Sequence, residues 1–149
     1  MREIIGNIWD FHDAGEWIVI TTNGCIKVNG QAVMGRGIAK QAAERFPKLA
    51  SELGTLLTHY GNKLFVFGEY RLFTLPTKRN WWEISDTILI ETNIKELYES
   101  IHTVLRPVFN INKVYLVRPG CGNGGLNWKD VKPILERYLD DRFIVVSNK

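Results

Sequence analysis

A glycine-rich run near the C-terminus constrains the fold of this chain most strongly. Four glycines fall within the six residues of Gly120-Cys121-Gly122-Asn123-Gly124-Gly125. An apolar run over 114–117 precedes it, and a helical pattern follows. Glycine adopts φ > 0 and lets the backbone approach a ligand closely, and the N–H groups of such a loop, ahead of a helix, attract anions. The run predicts a phosphate-binding loop, with a tight turn that binds no ligand as the alternative.

Two common phosphate sites are excluded by the surroundings of this run. It fits G-x-G-x-x-G, but the dinucleotide fingerprint needs an opening βαβ unit and an acidic residue about 20 residues on, at the end of the next strand. Here the run lies near the C-terminus, and Asp140 and Asp141 precede the last apolar run. The chain also has no G-x-x-x-x-G-K-[ST] sequence of a P-loop and no G-x-S-x-G nucleophile signature.

Length and composition predict a single globular domain over 1–149. Of the 149 residues, 45% are hydrophobic and 23% are charged, which suffices for a buried core. The net charge of +3 is too small to predict binding of duplex nucleic acid by itself. It suits a small anionic ligand if positive side chains cluster, and the candidates are Lys27, Arg36, Lys40, Lys78 and Arg79.

The cysteines, histidines and apolar runs predict a soluble, cytoplasmic protein without a metal or cofactor. Cys25 and Cys121 lie in separate glycine-containing loops and do not form a disulfide framework. No apolar run reaches the roughly 18 residues that span a bilayer, and residues 1–5 lack a signal-peptide apolar segment. The histidines, at positions 12, 59 and 102, form no metal-ligand pair at helical spacing.

Strands and helices alternate along the chain. Short apolar or β-branched runs predict strands over 3–5, 17–22, 64–67, 70–75, 113–117 and 143–146. Apolar spacing predicts helices over 38–46, 48–59 and 91–105, and Pro133 limits the last main helix to 132–139, after a short turn at 127–130. This order indicates a three-layer α/β fold with a mostly parallel sheet. Both glycine-rich loops, 23–37 and 120–126, follow strands at the carboxyl edge, where such sheets bind ligands.

Three separated segments resemble the ligand loops of macrodomains. The first is Thr22-Asn23-Gly24 followed by Val33-Met34-Gly35-Arg36-Gly37-Ile38-Ala39, and the second is the run from Gly120 to Trp128. The third is Thr74-Leu75-Pro76-Thr77-Lys78, with Trp81 and Ser85 after it. It is similar to a segment of the branch that holds the animal terminal ADP-ribose glycohydrolase and the antitoxins that remove ADP-ribose from DNA. The resemblance implies a three-layer α/β/α fold with a central mixed, mostly parallel sheet, and ADP-ribose as the ligand.

The resemblance also implies which residues contact ADP-ribose. Asn23 matches the residue at the terminal ribose, and Lys78, after Thr77, matches the lysine that attacks or polarises C1″ of that ribose. An amine forms a Schiff base with an opened ribose best when desolvation lowers its pKa. Both glycine-rich loops are implied to bind the diphosphate, through Gly35, Arg36, Gly37 and Ile38 in the first and Gly120, Cys121, Gly122, Asn123, Gly124, Gly125 and Leu126 in the second. Without the resemblance, the simplest interpretation is that Asn23 stabilises a turn, that Lys78 is a surface lysine and that Arg36 faces solvent.

Two positions depart from the family pattern. Asn7, followed by Ile8, stands where macrodomains have an Asp that reads adenine, and an amide oxygen accepts a hydrogen bond without charge assistance. Gly124 stands where the animal glycohydrolase has an Asp, although the DNA-type antitoxins also have Gly there. The chain therefore lacks an obvious general acid or base: Glu83 and Asp86 are near Lys78 in the sequence, but nothing in the sequence shows that either points inward.

We expect a monomeric macrodomain hydrolase that removes ADP-ribose from a modified macromolecule, either a DNA base or a protein carboxylate. The alternatives are an ADP-ribose reader without turnover and a phosphatase of ADP-ribose 1″-phosphate. The expected partners are ADP-ribose or an ADP-ribosylated macromolecule, including modified nucleic acid, and no membrane. Trp81 and Trp82, adjacent in a polar loop, are candidates for stacking on a nucleobase or for covering the site.

Overall fold

The computed structural model describes residues 1–148, with the backbone alone for 104–106; Lys149, the last residue of the predicted domain, lies outside the described residues. The strands are β1 (Arg2–Ile5), β2 (Trp17–Asn23), β3 (Phe65–Phe67), β4 (Leu72–Lys78), β5 (Val114–Leu116) and β6 (Phe143–Ser147). The helices are α1 (Ile8–Asp13), α2 (Gly37–Arg45), α3 (Leu49–Tyr60), α4 (Thr87–Ser100), α5 (Arg106–Phe109) and α6 (Trp128–Glu136). Short 3-10 turns cover Gly68–Tyr70 and Gly122–Gly124, and a π-helical turn covers Ile101–Leu105.

The six strands form one sheet in the order β1-β6-β5-β2-β4-β3. All neighbouring pairs are parallel except β3 and β4, which are antiparallel. The predicted mixed, mostly parallel sheet is therefore confirmed. Because parallel strands end at the same edge, the segments after β1, β2, β4 and β5 all emerge together.

Helices cover both faces of the sheet, so the three-layer α/β/α arrangement is also confirmed. Alternation along β2 shows the two faces: Trp17 and Val19 belong to one core cluster, and Ile18 and Ile20 belong to the other. The first cluster includes buried residues of α4 and α6, and the second includes those of α1, α2 and α3. β2 is buried on both faces, as its β-branched run predicts.

Helices α1 and α6 differ from the sequence prediction. Helix α1 follows β1 directly, where no helix is predicted, because the Asn7 side chain caps it by accepting a hydrogen bond from Trp9 N at 3.0 Å. Helix α6 begins at Trp128 and continues through Pro133, so the predicted start at 132 is wrong. Pro133 removes one helical hydrogen bond, and burial of Val131 and Leu135 on the same helix offsets that loss.

Helix α4 begins four residues before the predicted start at 91. The Asp86 side chain accepts hydrogen bonds from Ile88 N at 2.9 Å and Leu89 N at 3.3 Å, and so caps the first turn. The early start shortens the segment between β4 and α4 to residues 79–86. That short segment brings the residues after Lys78 back across the carboxyl edge of the sheet.

Candidate functional site

A cleft of about 950 Å³ lies at the carboxyl edge of the sheet. The segments after β1, β2, β4 and β5 and the end of β6 all contribute to its walls. The residues proposed from the sequence that line it are Asn7, Ile8, Asn23, Gly35, Arg36, Gly37, Ile38, Thr77, Lys78, Gly120, Cys121, Gly122, Asn123 and Gly124. Gly125 and Leu126 come directly after these and do not line the cleft. One cavity thus brings together residues from four separated parts of the chain.

The first glycine-rich loop leads from β2 into α2. The Asn23 side chain holds its start: Oδ1 accepts from Cys25 N at 2.9 Å, and Nδ2 donates to Val33 O at 3.2 Å. Gly37 opens α2 with φ of 58°, a conformation that favours glycine. Arg36 makes no side-chain cap bond and the first turn of α2 holds no acidic residue, so this end of the helix is suited to an anion.

The second glycine-rich loop leads from β5 toward α6. Gly120, Gly122 and Gly125 all have φ between 75° and 78°, which explains why three glycines occur so close together. The loop is closed by a hydrogen bond from Leu126 N to Gly120 O at 3.0 Å. It faces the first loop directly, since a Cβ placed on Gly37 would lie 3.3 Å from the Asn123 amide nitrogen. The two loops therefore form opposite walls of the same cleft.

Strand β4 brings Thr77 and Lys78 to the cleft. Lys78 pairs in register with Asn23 on β2, after a shift in the pairing between Thr22 and Asn23. The Lys78 ammonium donates a hydrogen bond to Glu83 O at 3.3 Å, which folds the following segment back over the lysine. Burial and the nearby Arg36 guanidinium lower the pKa of Lys78, while the Glu83 carboxylate raises it by a smaller amount.

Ser85 joins the Lys78 segment to the second glycine-rich loop. Its backbone N–H donates to Gly124 O at 2.8 Å, and its hydroxyl donates to the Thr77 hydroxyl at 3.3 Å. A Cβ placed on Gly124 would collide with the Ser85 hydroxyl oxygen. Any side chain at position 124, Asp included, would therefore have to displace the Ser85 hydroxyl from its bond with Thr77. The sequence segment that contains Ser85 gives no sign of this contact.

Neither carboxylate near Lys78 in the sequence lines the cleft. Glu83 Oε1 accepts a hydrogen bond from Asn80 N at 2.8 Å. Asp86 caps α4 and pairs with the Arg79 guanidinium at 3.1 Å. Within residues 1–148, no Asp or Glu lines the cleft at all, and no group of three metal-ligating side chains occurs. In the same residues, no helix has the length and apolar character to cross a bilayer.

The far end of the cleft, beside β1 and β6, differs from the family pattern. Because Asn7 Oδ1 accepts from Trp9 N, its amide offers the NH₂ group as a donor and one remaining oxygen lone pair as an acceptor. Asp10, an acidic residue three positions after Asn7, is exposed and does not line the cleft. Sequence reasoning missed Ser147 and Asn148 here, although their place after the last strand is a usable signal.

Other lining residues were also missed. They are Gly6, Thr21, Thr22, Val33, Met34, Ala39, Gln41, Val117, Arg118 and Val146. Most of them lie within or next to a predicted loop, so extending each predicted loop into the neighbouring strand end would include them. Arg118 is the one with a charged side chain, and its guanidinium lies 5.2 Å from the Trp128 ring centre.

Comparison with known proteins gives the fold and sequence relatives of this chain. No family model matches the sequence. The macrodomain of Thermus aquaticus DarG has a TM-score of 0.75 and 26% identity, over 99% of this chain and 97% of that chain. Thermosipho africanus DarTG in complex with ADP-ribose shares the fold with a TM-score of 0.73 and 19% identity, over 98% of this chain and 41% of that chain.

Sequence similarity adds a curated relative. A DNA ADP-ribosyl glycohydrolase of Mycobacterium tuberculosis is 32% identical over 117 residues, which are 70% of this chain and 31% of that protein. The chain spans about a third of the length of the curated relatives it matches. Because the fold, the order of the loop motifs and the sequence similarity agree, the chain belongs to the macrodomain family, in the branch that includes the DarG macrodomains.

Proposed function

We propose that this protein is an ADP-ribosyl glycohydrolase that releases ADP-ribose from a modified DNA base. One observation carries the proposal: Lys78, an amine with a lowered pKa, lines the cleft on which both glycine-rich loops converge. Relatives that are DNA ADP-ribosyl glycohydrolases by name favour DNA as the modified macromolecule. A protein carboxylate is the competing leaving group.

The cleft suits ADP-ribose in its shape and in its hydrogen-bonding groups. The diphosphate would lie between the first turn of α2 and the loop at Gly122–Gly124, where main-chain N–H groups supply donors. Asn23 and Lys78 would then meet the terminal ribose, because they are in register at the same strand ends. The ADP-ribose complex of the Thermosipho africanus protein with the same fold supports this ligand.

Lys78 would act as the nucleophile. Its neutral amine attacks C1″ and forms a C–N bond, while the bond from C1″ to the base breaks and its electron pair leaves with the base nitrogen. The proton that the attacking amine loses is transferred to that nitrogen, so no cleft carboxylate is needed. Ring opening gives a Schiff base, and water then releases ADP-ribose and restores the amine.

A reader that binds ADP-ribose without turnover is the second candidate. The observation in its favour is the absence of Asp and Glu from the cleft lining of residues 1–148. Under this alternative, Lys78 would contribute only a charge beside the ribose. Turnover separates the two candidates, since both require the same binding.

The test is a panel of ADP-ribosylated thymidine, guanosine and glutamate, together with ADP-ribose 1″-phosphate. We expect release of ADP-ribose from a nucleoside, and loss of this activity in Lys78→Ala with ADP-ribose binding mostly retained in calorimetry. Lys78→Arg is the matched control, because it keeps the positive charge without a nucleophilic amine at neutral pH. Binding without turnover on every substrate would support the reader, and release from glutamate alone would contradict the choice of DNA.

The proposal extends to Asn23, to both glycine-rich loops and to Asn7 as ligand contacts. We also propose that 1–149 is a single domain that acts as a monomer in the cytoplasm. Sedimentation of the ADP-ribose-bound protein tests the monomeric state, and a dimer would contradict it.

A further inference from the structure

We infer that an exposed surface beside the cleft binds the bases that flank the modified nucleotide in a single DNA strand. This surface, the tryptophan platform, consists of Trp81, Trp82, Ile84 and Ile88. The inference rests on the proposed function, and it names the form of DNA that the site receives.

Large apolar side chains are unusually exposed here. Trp81 is 46% exposed, Trp82 65%, Ile84 71% and Ile88 75%. The other tryptophans have structural positions: Trp9 and Trp17 are buried, and the half-buried Trp128 donates its indole N–H to Glu3 at 2.8 Å. A cluster of exposed apolar side chains at a cleft mouth indicates an interaction surface.

The platform begins where the leaving base would emerge. Trp81 lines the cleft, and Trp82, the next residue, is exposed and does not line it. The segment that carries both is fixed against Lys78 by the bond from Lys78 Nζ to Glu83 O at 3.3 Å, and by the bond from Glu83 N to Asn80 O at 3.1 Å. A base attached to C1″ beside Lys78 would therefore have Trp81 as its neighbour and Trp82 as the next aromatic group outward.

The two indole rings present their faces in different directions. Their ring centres are 5.7 Å apart and their planes are perpendicular, an edge-to-face contact in which the two rings do not stack on each other. Tryptophan faces bind nucleobases by stacking in proteins that hold single strands, whereas duplex bases are already stacked on each other. The geometry therefore favours a single strand over a duplex.

Charges around the platform also suit a nucleic acid strand. The Arg36 guanidinium lies 5.8 Å from the Trp81 ring centre, and the exposed Arg79 precedes Trp81 by two residues. The nearby carboxylates are engaged within the protein: Asp86 pairs with Arg79 and caps α4, and Glu83 accepts from Asn80 N. Phosphates that flank the modified nucleotide would meet Arg36 beside Trp81, and they would reach Arg79 by competing with its Asp86 partner.

The experiment compares one modified base in two settings, as a free nucleoside and within a short single strand. For Trp82→Ala, we expect kcat/KM on the strand to fall about tenfold, which is the loss of one stacked base, and kcat/KM on the nucleoside to stay unchanged. Trp82→Phe should retain most of the activity on the strand, whereas Trp82→Leu should not, because leucine is apolar without an aromatic face. Tyr60→Ala is the matched control, since Tyr60 is an exposed aromatic residue on α3 that does not line the cleft.

A second measurement does not depend on turnover. Unmodified oligothymidylate should quench the tryptophan fluorescence of the wild-type protein, more strongly at low salt, and Trp82→Ala should weaken this binding. If no substrate is hydrolysed but this quenching occurs, the proposed activity fails and the platform stands. The inference is overturned if Trp82→Ala binds the oligonucleotide as tightly as the wild-type protein does. It is also overturned if Trp82→Ala keeps full activity on the DNA strand and loses activity only on an ADP-ribosylated protein.

Discussion

The protonation state of Lys78 determines what the cleft can do chemically. Burial and Arg36 lower the pKa of Lys78, and Glu83 raises it. Only the neutral amine can attack C1″, so activity should rise with pH as Lys78 loses its proton. Under the proposed mechanism, the charges on Arg36 and Glu83 set the pH dependence of activity without direct contact with the reacting bond.

The pH profile tests this control. In Arg36→Gln, a positive charge that disfavours the ammonium is removed, so the pKa of Lys78 rises and the ascending limb of kcat moves to higher pH. In Glu83→Gln, a negative charge that favours the ammonium is removed, so the limb moves to lower pH. Shifts in the same direction for both variants would contradict this electrostatic account.

Gly124 has a packing role that can be measured apart from catalysis. In Gly124→Ala, the new Cβ meets the Ser85 hydroxyl, so we expect the free energy of unfolding to fall by about 1–3 kcal/mol. Gly35→Ala is the matched control, because its Cβ meets no atom within 4 Å, and it should change stability by less than about 0.5 kcal/mol.

A double variant identifies the cause. Adding Ser85→Ala to Gly124→Ala removes the hydroxyl and should recover part of the lost stability, measured by denaturant unfolding against Ser85→Ala alone. No recovery would show that the collision with Ser85 is not the source of the loss.

At the scale of secondary structure, the caps of helices α1 and α4 shape both ends of the cleft. Helix α1 exists because Asn7 caps it, and the same bond leaves the amide NH₂ group as a donor and one oxygen lone pair as an acceptor. Helix α4 exists from Thr87 because Asp86 caps it, and this early start holds the Lys78 segment near the second glycine-rich loop. Capping therefore places groups that we propose as ligand contacts.

Asn7→Asp separates the capping role from the ligand role. Asp caps a helix about as well as Asn, so the melting temperature should stay nearly unchanged. The second carboxylate oxygen can accept from the exocyclic amine of adenine, so we expect ADP-ribose to bind about fivefold more tightly, which is about 1 kcal/mol. The measurement is titration calorimetry, and unchanged or weaker binding would contradict the placement of adenine beside Asn7.

The sequence predicts the elements that local chemistry determines and misses those that depend on distant contacts. The buried strand β2, the parallel sheet and the place of the glycine-rich loops follow from periodicity and glycine patterns. The start of α6 before Pro133 does not, because burial of Val131 and Leu135 against other elements offsets the proline. The contact of Ser85 with Gly124 joins residues far apart in the chain, so no local pattern contains it.

At the scale of the whole molecule, the fold gathers strand ends from most of the chain at one edge. Because β1, β2, β4, β5 and β6 are all parallel, the segments that follow them converge on a single cleft. This convergence puts an amine of lowered pKa, two glycine-rich loops and the exposed Trp81 within one site. The central claim is that the amine of Lys78 bonds covalently to the ribose during turnover.

Reductive trapping tests that claim most directly. Sodium borohydride, added during hydrolysis of an ADP-ribosylated oligonucleotide, should reduce the Schiff base and leave a stable adduct. We expect peptide mass spectrometry to detect an adduct at Lys78 in the wild-type protein and none in Lys78→Ala. Turnover without an adduct, or an adduct that persists in Lys78→Ala, would contradict it.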